Sequence, residues 1–174
     1  MNLNMRAARR IAAGAAAAGA AILIPATALA SPAASATSAH PAMCGSASTG
    51  LRLAVGNSSA GAAHFQLRFR NVGRHTCTLF GYPGVSPANS HGHQVGVPAS
   101  HSGIRHTVTL KPGATAHAAL TVKDPGCAHP VTPSRLKVFP PGQFHYKLVK
   151  FSFPVCKHQV TMHVLPVRPG KGAL

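Results

Sequence analysis

Between His64 and Asn71 the chain reads HFQLRFRN, with apolar and polar side chains in strict alternation. A period of two puts Phe65, Leu67 and Phe69 on one side of an extended segment and His64, Gln66, Arg68 and Arg70 on the other. On a helix the same residues would scatter around the axis, so the stretch has to be a strand with one face buried. The pattern recurs. LRLAV sets Leu51, Leu53 and Val55 against Arg52, and IRHTVTL sets Ile104, His106, Val108 and Leu110 against Arg105 and two threonines. ATAHAALTV sets Ala116, Ala118, Leu120 and Val122 against His117; FHYKLV sets Phe144, Tyr146 and Leu148 against His145 and Lys147. Shorter runs lie at Gln94 to Ala99, Arg135 to Phe139 and Gln159 to Leu165, each bounded by Gly, Pro, Asn or Ser. Seven or eight short strands with frequent turn signals, and no helical periodicity from Ser31 onward, predict an all-β fold. The expected form is an antiparallel, immunoglobulin-like β-sandwich, without the core tryptophan of antibody domains; a small barrel is the alternative.

Turn chemistry fits that reading. In LKPGATAHAAL, Pro112 and Gly113 suit the two corners of a type II turn between strands. In LFGYPGVS, Pro83 and Gly84 offer the same chemistry, and Gly81 permits a close backbone approach. Tyr82–Pro83 as a cis bond is an alternative. Gly81, Tyr82, Pro83 and Gly84 are therefore read as a structural turn, against a rival in which Tyr82 is an exposed ligand anchor.

The first thirty residues stand outside this pattern. Arg6, Arg9 and Arg10 precede an uncharged run from Ile11 to Ile24, Pro25 breaks it, and Ala28-Leu29-Ala30 supplies small residues before Ser31. That is the layout of a secretory signal peptide over 1–30. A membrane anchor is the rival, but the run of 14 residues is short of the ~20 that a spanning helix needs. Residues 31–43 read as a flexible Ala/Ser/Pro-rich segment, 44–166 as the domain and 167–174 as a flexible basic tail. Export into an oxidising setting makes Cys44, Cys77, Cys127 and Cys156 two disulfides. Sequence allows three connectivities, and Cys44–Cys77 with Cys127–Cys156 is the expected one.

The charge balance excludes much. The chain has 17 Lys and Arg against one acid, Asp124, and carries a formal net charge of +16. Loss of the three leader arginines leaves 14 cations against that one acid, or +13. A lone carboxylate cannot supply both the acid and the base of a glycosidase, nor a calcium or magnesium cage. The only candidate to orient a catalytic triad's histidine is Asp124, in the turn-like KDPGC, and GxSxG is absent. No catalytic residues and no cofactor are expected. His91 and His93 are the metal candidates, since His-x-His puts two imidazoles on one side of an extended segment and suits copper or zinc; solvated surface histidines are the competing reading.

CTLFGYPGVS, VGVPAS and VTLKPGATAHAAL, with Cys44, Cys127 and Cys156 around them, resemble the exported actinobacterial proteins grouped as domain of unknown function DUF4232. The resemblance covers roughly Cys44 to Pro166. It implies an exported or envelope-attached β domain and brings no activity or catalytic residues. Its members often hang from a lipid or membrane anchor, and this chain has no cysteine placed for lipid attachment.

The basic residues are the remaining signal. Arg68, Arg70, Arg105, Lys137 and Lys147 all fall on outward phases and are the candidate polyanion-binding set. Inward-phase aromatics argue against sequence-specific nucleic-acid reading. The expectation is a secreted, non-catalytic domain that binds anionic wall polymers or lipid surfaces by charge, with retention on the cell wall. A histidine-based copper or zinc protein and a protein-binding module are the alternatives.

Overall fold

The computed structural model describes residues 40–59 and 61–173, so the segment 1–30 expected to be a signal peptide, and residues 31–39 of the expected flexible segment, lie outside the described residues. The described chain is all β. Its strands are β1 (Thr49–Ser59), β2 (Ala62–Asn71), β3 (Cys77–Phe80), β4 (Gly84–Ala88), β5 (Ser100–His101), β6 (Thr107–Leu110) and β7 (Thr115–Lys123). The remainder are β8 (Pro130–Val131), β9 (Arg135–Phe139), β10 (Lys147–Lys150), β11 (Val155–Cys156), β12 (Met162–Val164) and β13 (Arg168–Pro169). Four of these strands, β5, β8, β11 and β13, have two residues each, too short to leave a periodic trace in sequence.

The largest sheet has the order β1-β2-β7-β12-β5, and β13 also pairs with β7; a second sheet has the order β10-β9-β4. The short pairs β3–β6 and β8–β11 complete the ladders, and no described sheet closes into a barrel. Inward side chains from the sheets meet in one core. Over part of it volumes are complementary: Leu67 stands opposite Ala118 and Phe69 opposite Ala116 in the β2–β7 register. A large residue facing a small one lets the pleats interdigitate without voids.

The cysteines stand at disulfide distance in two pairs, Cys44 with Cys77 (S–S 2.11 Å) and Cys127 with Cys156 (S–S 2.04 Å). Asn71, at the end of β2, is one of four buried polar residues among those described, with Thr49, Ser86 and Thr161. Its Nδ2 donates to the carbonyls of His75 (2.8 Å) and Leu110 (2.9 Å), and its Oδ1 accepts from the Gly73 N–H (2.9 Å).

Several sequence expectations are corrected. Ile104 and His106 are exposed, and Ile104 is 75% accessible. The β3–β6 ladder ends at the pair Phe80–Thr107, because Gly81 takes a left-handed φ of 90° and carries β3 away. Val55 is also exposed, beside a register shift between Val55 and Ser58. Gln94 to Ala99 forms no strand. It follows β4 irregularly, with Val95 N–H on the Pro87 carbonyl (2.9 Å) and Ala99 N–H on the Val85 carbonyl (2.8 Å); Pro87 has no N–H to complete a ladder.

The phase of FHYKLV is reversed. Val149 pairs with Leu136 and packs on the core, while Leu148 pairs with Lys137 on the outer side. Lys147 pairs with Val138, so this residue, expected to face solvent, is half-buried at the inner margin. From Val149 onward the other phase is apolar too, and the core takes this one, which Phe151 continues.

The C-terminal segment, read from sequence as a flexible tail, continues the pairing of β12. Leu165 N–H bonds the Ala119 carbonyl (2.9 Å), Pro166 breaks the ladder, Val167 N–H turns to the Gly81 carbonyl (2.9 Å), and β13 resumes beside β7. The Pro112–Gly113 turn closes with Ala114 N–H on the Lys111 carbonyl (2.9 Å) and Gly113 at φ 80°, the left-handed second corner of a type II turn. In LFGYPGVS the turn is shifted from the sequence expectation. The left-handed residue is Gly81, Gly84 opens β4 against Phe139, and no cis peptide bond occurs among the described residues.

Candidate functional site

Residues directly opposite one another in an antiparallel ladder share a face of the sheet. On the outer side of the large sheet the register lines up Arg52, Arg68, His117 and Arg168 across β1, β2, β7 and β13. The next row is Gly50, Arg70 and Thr115. Because Gly50 has no side chain and Thr115 a short one, the floor beside Arg70 is recessed. A groove of about 470 Å³ results, lined by Arg52, Arg68, Arg70, Thr115 and Lys171, with Leu51 and Val72 also in its wall.

Two of the guanidiniums are held in place. Arg68 Nε donates to the Lys171 carbonyl (2.8 Å), and Arg70 Nε donates to the Gly113 carbonyl (3.1 Å). With Nε committed, each side chain keeps its terminal nitrogens, the pair of donors that matches a phosphate or carboxylate edge. Arg52 and Arg68 are directly opposed like charges. Such a pair costs a few tenths of a kcal/mol to about 1 kcal/mol in a bare sheet, and an anion between them converts that repulsion into attraction.

No carboxylate side chain offsets this charge. Asp124 follows Lys123 at the far end of β7, where its N–H bonds the Gly61 carbonyl (2.8 Å). Nine residues of strand separate it from Thr115, roughly 30 Å at the usual rise, several Debye lengths at physiological salt.

The sequence-derived basic set is not one site. Arg68 and Arg70 share the groove, but Arg105 lies over the Phe80 ring (5.6 Å to the centroid). Lys137 lies over Tyr146 (4.3 Å) and Phe139 (5.9 Å) on the second sheet, and Lys147 faces that sheet's inner margin. The groove instead recruits Arg52 and Lys171. Arg52 is an outward residue in sequence, but only the β1–β2 register puts it against Arg68. Nothing in the sequence brings Lys171 there, since it arrives through β13.

His91 and His93 do not share an extended segment. They sit in a tight loop in which Asn89 Oδ1 accepts from both their N–H groups (3.0 Å each), and their rings are 6.4 Å apart and tilted. Among the described residues no group of three His, Cys, Asp or Glu side chains is gathered around a common point. Tyr82 is tied into the scaffold: its hydroxyl donates to the Gly103 carbonyl, and its ring stacks on His101 at 4.9 Å. His163 bonds Ser100 Oγ (3.0 Å) and Ser102 Oγ (2.8 Å). A further opening of about 340 Å³ is lined by Leu53, Phe65, Phe151 and Phe153, and Lys150 is its single Lys or Arg.

The family profile described as a domain of unknown function (DUF4232) matches residues 44–169. The chain belongs to the DUF4232 family. The DUF4232 match begins at Cys44, the first disulfide cysteine, and reaches through β13, so the C-terminal pairing belongs to the family's domain. No curated protein matches the chain. The two disulfides are compatible with an extracellular DUF4232 protein, and no helix among the described residues is long and apolar enough to cross a membrane.

Proposed function

We propose that this DUF4232 domain works outside the cytoplasm as a non-catalytic attachment module, and that it holds phosphate-bearing polymers of the cell envelope in the arginine groove. One observation carries the reading. Arg52, Arg68, Arg70 and Lys171 converge on one recess, two of them with Nε already bonded. Pre-positioned guanidiniums lose little side-chain freedom on binding, and bidentate contacts to phosphate oxygens are among the stronger hydrogen bonds available to a protein. A chain with one acidic side chain cannot neutralise 17 cations internally, so it recruits anions from its surroundings.

Calorimetric titration with long-chain inorganic polyphosphate tests this. Arg52→Gln or Arg70→Gln is expected to weaken binding about tenfold each, the equivalent of ~1.4 kcal/mol for a charged hydrogen-bonding group. Arg105→Gln, outside the groove, is expected to bind within about twofold of wild type, the small loss of a screened remote charge. Equal losses from all three variants would mean diffuse attraction without a site.

A further inference from the structure

The second sheet presents a different surface. Its outer side carries Leu148 opposite Lys137, with Tyr146 packed edge-on to Phe139 (5.6 Å) and under the Lys137 ammonium. The core has no use for this row, because Val149 and Phe151 fill the inner phase of the same segment. Two residues before Tyr146, Phe144 is 93% exposed. Met43, also exposed, lies against Gly142 and adds a thioether beside the same loop. Arg135, Lys137 and Lys150 share the outer phase with these apolar groups on β9 and β10, and the chain's lone acid follows β7, in the other sheet.

We infer that this edge docks on an anionic lipid bilayer, with Phe144, Tyr146 and Leu148 entering the headgroup region and the three flanking cations of the outer phase facing lipid phosphates. The inference goes beyond polymer binding, because a hydrated polyanion gains nothing from a ring that stands clear of the protein. A bilayer interface uses both chemistries. Aromatic rings settle at headgroup depth, each Lys or Arg near an anionic surface contributes about 1 kcal/mol, and stable attachment takes an apolar and a basic signal together. The flanking charge, uniformly positive, fits a lipid surface of opposite sign.

Vesicle co-sedimentation tests the proposal, with phosphatidylcholine alone compared with phosphatidylcholine/phosphatidylglycerol mixtures. The wild-type protein is expected to partition onto the mixed vesicles and not the neutral ones. Phe144→Ala/Leu148→Ser is expected to lower that partition tenfold or more, as losing two partly inserted apolar groups implies, with polyphosphate binding and thermal unfolding unchanged. In a Phe144→Trp variant, indole emission is expected to shift to the blue on mixed vesicles. Arg52→Gln/Arg70→Gln is expected to do the reverse, losing polyphosphate and keeping vesicles. Equal partition of wild type and Phe144→Ala/Leu148→Ser, unshifted emission, equal binding to neutral vesicles, or no vesicle binding would overturn the proposal and leave the groove untouched.

Discussion

Asn71 shows how much one side chain can organise. On the inward phase of HFQLRFRN it follows Phe65, Leu67 and Phe69 into the core, yet it is polar and only 1% exposed. It is tolerated there because every polar group it brings is matched. The side chain bonds His75, Leu110 and Gly73, and the main chain pairs with Gly113 and Ala114, so the end of β2, the following loop and the β6–β7 turn meet at one amide. Asn71→Ala would strand two carbonyls and an N–H in the interior. We predict a loss of about 2–4 kcal/mol in urea unfolding, since each orphaned buried group costs about 1–3 kcal/mol. The residue's inward phase is legible in sequence; its partners are not, because Leu110 lies 39 positions away. Tyr82 is a parallel case. The sequence marks it as a turn tyrosine, but only the fold brings the Gly103 carbonyl and the His101 ring to it.

At the scale of elements, legibility depends on contrast between the two phases of a strand. β2 and β7 are readable because one phase is apolar and the other polar or small. β10 misleads because Phe144, Tyr146 and Leu148 on one phase compete with Val149, Phe151 and Phe153 on the other. Alternation alone does not say which set the core will take. The C-terminal strand fails for another reason: Gly, Lys and Pro read as a tail, and the β7 edge that captures it is a tertiary feature. A chain ending at Val167 keeps the buried core residue and loses β13, Lys171 and the acceptor for Arg68 Nε. We predict that it folds, and that its polyphosphate affinity falls severalfold, by less than the loss of two arginines, as calorimetry would show. The Cys127–Cys156 bond has a local task as well, since β8 and β11 pair over only two residues each and Cys156 is one of them. Replacing both cysteines with alanine is predicted to cost about 3 kcal/mol of stability through the freed denatured chain, readable as a lower urea midpoint.

Across the whole molecule, the pairing of strands turns a diffuse charge excess into two distinct surfaces. In sequence the cations fall on many outward phases and look evenly spread. The register then gathers Arg52, Arg68 and Arg70 beside one recess, and sends Lys137 to an aromatic cluster on the other sheet. The fold class and the excess of charge are legible because they depend on residue type and period. The division of labour is not, because it depends on which strands become neighbours.

The most direct test of the account is the salt dependence of polyphosphate binding, measured for the wild-type protein and for Arg52→Gln/Arg70→Gln. Each cation that neutralises a phosphate releases about one counterion, so log K should fall linearly with log salt. The account predicts a steep wild-type slope, made shallower by about two in the variant, one for each lost phosphate contact. An affinity that holds constant from low to physiological salt, or identical slopes for the two proteins, would contradict it.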